Sequence, residues 1–234
     1  MFKEAIVLAG GFGTRLKGVL SDLPKPMAPI GNKPFLYYLL SYLLEEGIEH
    51  VVLSVGYKHE AIKNYFGKRF KNMRLTYALE ETPLGTGGGI KKSLSLCKEQ
   101  AIFVLNGDSF FDVSFDILRR HWRLDRPLIL SLCSMRHCSR YGAVEIDSLG
   151  KVIAFKEKQY FDQAAINGGV YLMSRDIFEN FSLEKEFSFE KEVLEKGLNV
   201  IRIQALVFEN YFIDIGIPED YKRAQKELLE IFKS

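Results

Sequence analysis

Three glycines, an arginine and a lysine near the start of the chain have the types and spacing to hold a polyphosphate. Gly10, Gly11 and Gly13 follow a short apolar run, Ala5 to Ala9, that reads as a buried strand feeding a turn. Lacking Cβ atoms, they let the backbone approach a bulky anion, and successive N–H groups in such a loop form a concave phosphate cradle. Arg15 adds a planar fork of donors matched to phosphate oxygens. Lys25 stands between Pro24 and Pro26. Each proline locks its own φ near about −65°, so the lysine stem is mounted on stiff backbone. Other glycine motifs fit less well. A dinucleotide fingerprint needs glycine where Leu16 stands, and a P-loop needs lysine and serine or threonine where Thr14 and Arg15 follow Gly13. In the second glycine-rich stretch, Gly85 to Gly89, Ile90 occupies the place of the P-loop glycine. An ordinary glycine-rich turn would leave Arg15 and Lys25 unexplained.

The elements that must position these groups follow from punctuation and periodicity. Pro34 opens a helix over Phe35 to Leu44, closed by Gly47. His50 to Val55 reads as a strand, Lys58 to Phe66 as a helix, Leu75 to Leu79 as a strand, Ile90 to Leu96 as a helix and Ala101 to Leu105 as a buried strand. This alternation predicts an α/β fold with a parallel, doubly wound sheet. In such sheets ligands bind beyond the carboxyl ends of the strands. The loops after Ala9, Leu79 and Leu105 fall there, and the last carries Asn106, Gly107 and Asp108. A carboxylate ending a buried strand costs free energy unless it is paired or bound to metal. From Pro127 onward, strands at Leu128–Cys133, Ala143–Ile146, Val152–Phe155 and Ile166–Met173 are joined by short turns. They predict a mixed, partly antiparallel second half with a small lid over the first. Short helices at Ile177–Phe181 and Phe189–Glu195, a late strand at Val200–Val207 and a closing amphipathic helix at Pro218–Phe232 complete the chain.

Composition narrows the partners. The 234 residues, 47% of them hydrophobic, suffice for one domain with a full core. Net charge is +2, which gives no general reason to expect nucleic acid or membrane. Apolar runs such as Phe35 to Leu40 are far too short to span a bilayer, and the first apolar stretch is too short for a signal peptide. A cytoplasmic protein is expected. Cys97, Cys133 and Cys138 lack the spacing of a disulfide framework or a zinc site. The basic run Lys68-Arg69-Phe70-Lys71 reads as a solvated face.

Further motifs follow the first loop. They are Glu80-Glu81-Thr82-Pro83-Leu84-Gly85-Thr86, Gly107-Asp108-Ser109, Gly142 after Arg140-Tyr141, Glu157-Lys158, Ile166-Asn167-Gly168-Gly169-Val170-Tyr171 and Asp214-Ile215-Gly216-Ile217-Pro218. Together with the Gly10 loop and the Lys25 segment they resemble the sugar-1-phosphate nucleotidylyltransferases over essentially the whole chain. The resemblance implies a Rossmann-like, mostly parallel sheet of the nucleotide-diphospho-sugar transferase type. It implies a nucleotide-binding half over residues 1–126, and a sugar-binding half with the closing helix over 127–234.

It also implies roles. Leu8, Ala9, Gly10, Gly11, Gly13, Thr14, Glu80, Gly85 and Thr86 would surround the nucleotide. Gly142, Glu157, Lys158, Asn167 and Gly168 would hold the sugar phosphate, although Gln159 replaces the proline usual after the Glu-Lys pair. Arg15, Lys25 and Lys158 would carry catalysis, and Asp108 and Asp214 would bind Mg²⁺. The expected reaction joins a nucleoside triphosphate and a sugar 1-phosphate, releasing pyrophosphate. Glu80 stands where the family reads the base. A carboxylate accepts both adjacent donors of guanine, whereas uracil suits a side-chain amide, so GTP is the expected donor. Within the family the motifs are most similar to guanylyltransferases of D-glycero-α-D-manno-heptose 1-phosphate, which serve surface polysaccharide synthesis. A uridylyltransferase and a mannose-1-phosphate guanylyltransferase are the alternatives. A non-catalytic regulatory subunit would be expected to lose Arg15, Lys25 or an aspartate, and all are present. A glycosyltransferase would want an Asp-x-Asp motif where Asn106-Gly107-Asp108 stands. The sequence leaves homo-oligomerisation open.

Overall fold

Strands that are apolar on both sides must be covered on both sides, and the central strands of this chain, such as Ala101–Asn106, are of that kind. The computed structural model describes residues 2–11 and 23–233. In chain order it contains β1 (Glu4–Leu8), a 3₁₀ turn (Lys25–Met27), β2 (Pro29–Ile30), β3 (Lys33–Pro34), α1 (Phe35–Glu45), β4 (His50–Val55), α2 (His59–Phe66), β5 (Arg69–Phe70) and β6 (Met73–Leu79). There follow α3 (Gly85–Leu94), β7 (Ala101–Asn106), β8 (Ser109–Phe111), α4 (Phe115–His121), β9 (Leu128–Cys138), β10 (Val144–Ile146), β11 (Val152–Phe155) and β12 (Phe161–Ser174). Short helical turns cover Ile177–Asn180, Glu190–Glu195 and Lys196–Asn199 before β13 (Ile203–Phe208), β14 (Phe212–Asp214) and α5 (Pro218–Ile231).

Eight strands form one sheet in the order β13–β9–β12–β7–β1–β4–β6–β5. Only β12 and β5 run against the other six, so the sheet is mixed and mostly parallel. Alternate residues of one strand enter opposite cores. Ala5 and Val7 of β1 join one cluster with Phe35, Leu36 and Leu39 of α1, Phe115 of α4 and Leu228 of α5. Ile6 joins the other with Ile90 and Leu94 of α3, Phe178, Phe189 and Val193. The expected doubly wound architecture is the one observed.

The differences have physical causes. The second-half strands β9, β12 and β13 extend the central sheet, the antiparallel pair β10–β11 stands outside it as the small lid-like part, and β14 pairs with β8 apart from both. Helix α3 starts at Gly85, five residues before the expected Ile90, despite the low helix propensity of glycine. Packing overrides propensity here: a Cβ on Gly87 would collide with the Phe187 ring, and one on Gly88 would lie 2.8 Å from Lys185 O. Helix α4 and the short β8–β14 pair carry too little periodicity to be expected, yet they decide where two aspartates lie. The basic run Lys68–Lys71 is the β5–β6 hairpin, with Phe70 buried and its three cationic side chains exposed.

Candidate active site

Lys25 begins the 3₁₀ turn, with Pro24 extended at φ −66° and ψ 147° and Met27 N–H closing onto Pro24 O at 2.8 Å. This stiff mounting directs its ammonium to Asp108, with Nζ 2.7 Å from Oδ2. Asp108 follows β7 by one tight turn in which Gly107 N–H donates to Leu8 O at 3.0 Å. Asp214 ends β14, opposite Ser109 at the start of β8. Ile215 N–H also donates to Asp108 O at 3.0 Å, so backbone pairing brings together two aspartates 106 positions apart. Burial, then the nearby Asp108 carboxylate, pushes the Asp214 carboxyl above the usual carboxylate range, and Lys25 opposes the shift. Asp214 Oδ1 accepts from Gly216 N–H at 2.7 Å and Oδ2 from the Tyr141 hydroxyl at 3.4 Å. Two crowded carboxylates with one ammonium between them form a donor set suited to a divalent cation that takes its remaining ligands from substrate phosphates. Among the described residues no group of three or more His, Cys, Asp or Glu side chains could hold a metal unaided.

Glu80 follows β6 and turns inward, whereas Glu81 is exposed. Its Oε1 accepts from the buried Ser54 hydroxyl at 2.8 Å and its Oε2 from Leu84 N–H at 3.3 Å. Methyl groups on Gly10 and Gly89 would come within 3.0 Å and 2.9 Å of Oε1, so the two glycine stretches and Glu80 are mutually fitted. Each carboxylate oxygen retains acceptor capacity for a base. Gly85 and Thr86 serve mainly to seat a later segment. Gly85 has φ +69°, and a Cβ there would lie 2.9 Å from the Phe187 carbonyl carbon. The Thr86 hydroxyl accepts from Phe189 N–H at 2.9 Å and donates to Glu190 at 2.6 Å.

Two adjoining cavities divide the expected residues into their two expected groups. One, of about 400 Å³, is lined by Leu8, Gly10, Gly11, Glu80, Gly85 and Thr86, together with Lys25. The other, of about 540 Å³, is lined by Gly142, Glu157, Lys158, Asn167, Gly168 and Asp214. Both reach Asp108, Asn106 and Glu190. Gly142 lets its loop close on the Lys156 carbonyl, and Glu157 and Lys158 stand exposed just past β11. Asn167 sits at a bulge in β12, where its amide donates to the Tyr171 hydroxyl at 2.8 Å and accepts from Gly169 N–H at 3.0 Å. Gly168 accommodates the Phe111 ring.

Ala9 lines neither cavity. Its side chain belongs to the core and its N–H donates to Ser54 O at 2.7 Å, so it shapes the loop. Gly13, Thr14 and Arg15 lie outside the described residues. The structure adds Glu190, which reaches both cavities, and Tyr141, which reaches one beside Asp214. The only sequence signal for Tyr141 was its place before Gly142, and Glu190 had none, since it lies in a stretch readable only as a short helix.

Comparison with known proteins agrees with this geometry. A family model described as nucleotidyl transferase matches residues 4–231. The chain is 49% identical over 226 residues to the D-glycero-alpha-D-manno-heptose 1-phosphate guanylyltransferase of Aneurinibacillus thermoaerophilus, covering 96% of this chain and 98% of that protein. It is 47% identical to the enzyme of that name from Campylobacter jejuni, over 93% of this chain and 96% of the relative. HddC from Yersinia pseudotuberculosis, solved in complex with GMP-PN, superposes with a TM-score of 0.87 at 37% identity, covering 97% of this chain and 99% of that one. With the sheet, the two cavities and these likenesses together, the chain belongs to the nucleotidyl transferase family.

Proposed function

We propose that this protein transfers GMP from GTP to D-glycero-α-D-manno-heptose 1-phosphate, releasing pyrophosphate and forming the GDP-sugar. The observation that carries the reading is the pair of cavities meeting at Asp108, to which Lys25 is paired, one lined by the residues expected around a nucleotide and the other by those expected around a sugar phosphate. The choice of GTP and heptose is supported by the two relatives, both D-glycero-alpha-D-manno-heptose 1-phosphate guanylyltransferases. A cytoplasmic setting fits the three unpaired cysteines, all of them buried, and no helix among the described residues is long and apolar enough to cross a membrane.

The chemistry asked of the chain is limited. An ionised oxygen of the sugar phosphate forms a bond to the α-phosphorus of GTP, and the bond from that phosphorus to the bridging oxygen of the departing pyrophosphate breaks. No protein nucleophile or general base is required. Two anions must be brought together in line, so positioning and charge neutralisation supply the catalysis. Lys25 would leave Asp108 to meet the reacting phosphate, Lys158 would orient the attacking one, and Arg15 would hold the triphosphate. Asp108 and Asp214 would hold Mg²⁺, which when bound supplies further positive charge beside the phosphates.

A pyrophosphate-release screen crossing GTP, UTP, CTP, ATP and dTTP with heptose, mannose and glucose 1-phosphates, with and without magnesium, tests this reading. Fastest release is expected with GTP and the heptose phosphate, and only with magnesium. Preference for another pair would overturn the assignment.

Two substitutions separate the cavities. Lys158→Ala should raise KM for the sugar phosphate about tenfold or more, the loss expected of a charge-assisted contact, with KM for GTP nearly unchanged. Equal effects on both constants would detach Lys158 from the acceptor. Glu80→Ala should erode the preference for GTP over UTP by about 1–3 kcal/mol, because guanine's paired donors lose their acceptors. It should also lower stability, since the buried Ser54 hydroxyl and Leu84 N–H lose theirs. An unchanged GTP-to-UTP ratio would show that the base is read elsewhere.

A further inference from the structure

Among the described residues, Glu190 is, with Asn106, one of two side chains lining both cavities that the reaction as described leaves without a task, and the only charged one of the two. Its Oε2 is doubly tethered, accepting from the Thr86 hydroxyl at 2.6 Å and from the Ser188 hydroxyl at 2.8 Å. Phe189 N–H fixes the Thr86 hydroxyl in turn, at 2.9 Å. One oxygen of the carboxylate is therefore pinned to the second glycine stretch. The other, Oε1, takes no hydrogen bond from the described residues.

The backbone gives a direction. Residues Glu190–Glu195 form a π-helical turn, a geometry that is rare and found often at functional sites. With each turn closed across five residues, Glu190, Leu194 and Glu195 come to one face, and all three line the larger cavity. Leu194 and Glu195 do not reach the smaller one. The ligand-facing side of this turn is thus the acceptor side.

Charge selects the partner. An ionised carboxylate only accepts hydrogen bonds, and beside the phosphates of two substrates it would be repelled by their oxygens. The groups it can favour in a sugar-binding cavity are hydroxyls. Resting on the nucleotidyl transfer proposed above, we infer that Glu190 is a specificity-determining residue that accepts a hydrogen bond from a ring or side-chain hydroxyl of the acceptor sugar through Oε1. The tether from Thr86 and Ser188 holds the carboxylate in the one orientation that offers this oxygen, so acceptor choice is tied to the packing of the second glycine stretch.

The test uses the full chain, GTP and whichever sugar 1-phosphate releases pyrophosphate fastest in the screen above. A best acceptor other than the heptose phosphate would overturn the substrate assignment while leaving Glu190 testable. Glu190→Gln keeps an oxygen for Thr86 and Ser188 but turns a donating amide toward the sugar. KM for the sugar phosphate should rise about tenfold or more, the worth of one hydrogen bond to a charged group, with KM for GTP within about twofold and the melting temperature close to wild type. Monodeoxy forms of the same acceptor supply the second readout. Wild type should lose about tenfold or more in kcat/KM at one position, and the variant should lose little further there. An unchanged acceptor KM, a rise confined to GTP, or a wild type indifferent to every deoxy form would each overturn the inference.

Discussion

Replacing Lys25 by alanine should lower turnover by about 10²-fold or more, as expected for losing charge stabilisation in the transition state, while the protein stays folded. The ammonium lies in the smaller cavity, held by a proline-flanked turn and poised 2.7 Å from Asp108, which both cavities share. Its partner is about two-fifths exposed, so the ion pair itself contributes little to stability, roughly 0–1 kcal/mol. Its work is therefore chemical. In the free protein Lys25 offsets the mutual repulsion of Asp108 and Asp214, and with substrates bound it meets phosphate oxygens as charge concentrates on the reacting phosphorus. Lys25→Arg should not restore full rate, because a planar fork cannot substitute for a compact ammonium on so short a turn. Steady-state kinetics beside a thermal melt decide the matter. Near-normal turnover from a folded Lys25→Ala protein would remove the lysine from catalysis.

Much of this site was legible because its chemistry sits at strand ends. Ala5 to Ala9 and Ala101 to Leu105 are apolar runs that end in glycine-bearing turns, and a parallel sheet puts such turns at one edge. The same logic placed Glu80, after Leu79, beside the first loop, whereas Lys25 was marked by its flanking prolines. The residues that escaped have their roles set by long-range packing. Glu190 reaches the site because Phe187 fills the space left by glycines a hundred residues earlier, and a glycine stretch looks the same whether it receives a phosphate or a phenyl ring. Asp214 did not escape, but it was named through the family resemblance alone, because it is positioned by a three-residue strand paired with another equally short, a contact with too few residues to leave a pattern. Gly87 to Gly89 misled in the opposite sense, since helix propensity counts against a helix that tertiary contacts impose.

Gly107→Ala should damage stability and activity together, through backbone alone. Gly107 N–H donates to Leu8 O at 3.0 Å, at the point where β1 and β7 end side by side. A methyl group there would lie against that same carbonyl oxygen, 3.0 Å from its carbon and 3.4 Å from Ala9 Cα. These are main-chain atoms of a buried strand end, so no rotamer change relieves the clash. Either the turn carrying Asp108 moves outward or the chain entering Gly10 and Gly11 does. Such overpacking costs about 1–3 kcal/mol. For a domain of this size each kcal/mol lowers Tm by about 2–4 °C. The functional consequence exceeds the energetic one, because both outcomes shift Asp108 relative to Lys25 and the glycine loop. A displacement of about 1 Å at a positioned group can lower rate about 10²-fold. The variant should therefore melt earlier yet remain folded at room temperature, with kcat reduced far more than its unfolded fraction explains. Wild-type kcat from Gly107→Ala would show that the turn tolerates displacement, and that the spacing between Asp108 and the first loop does not limit the reaction.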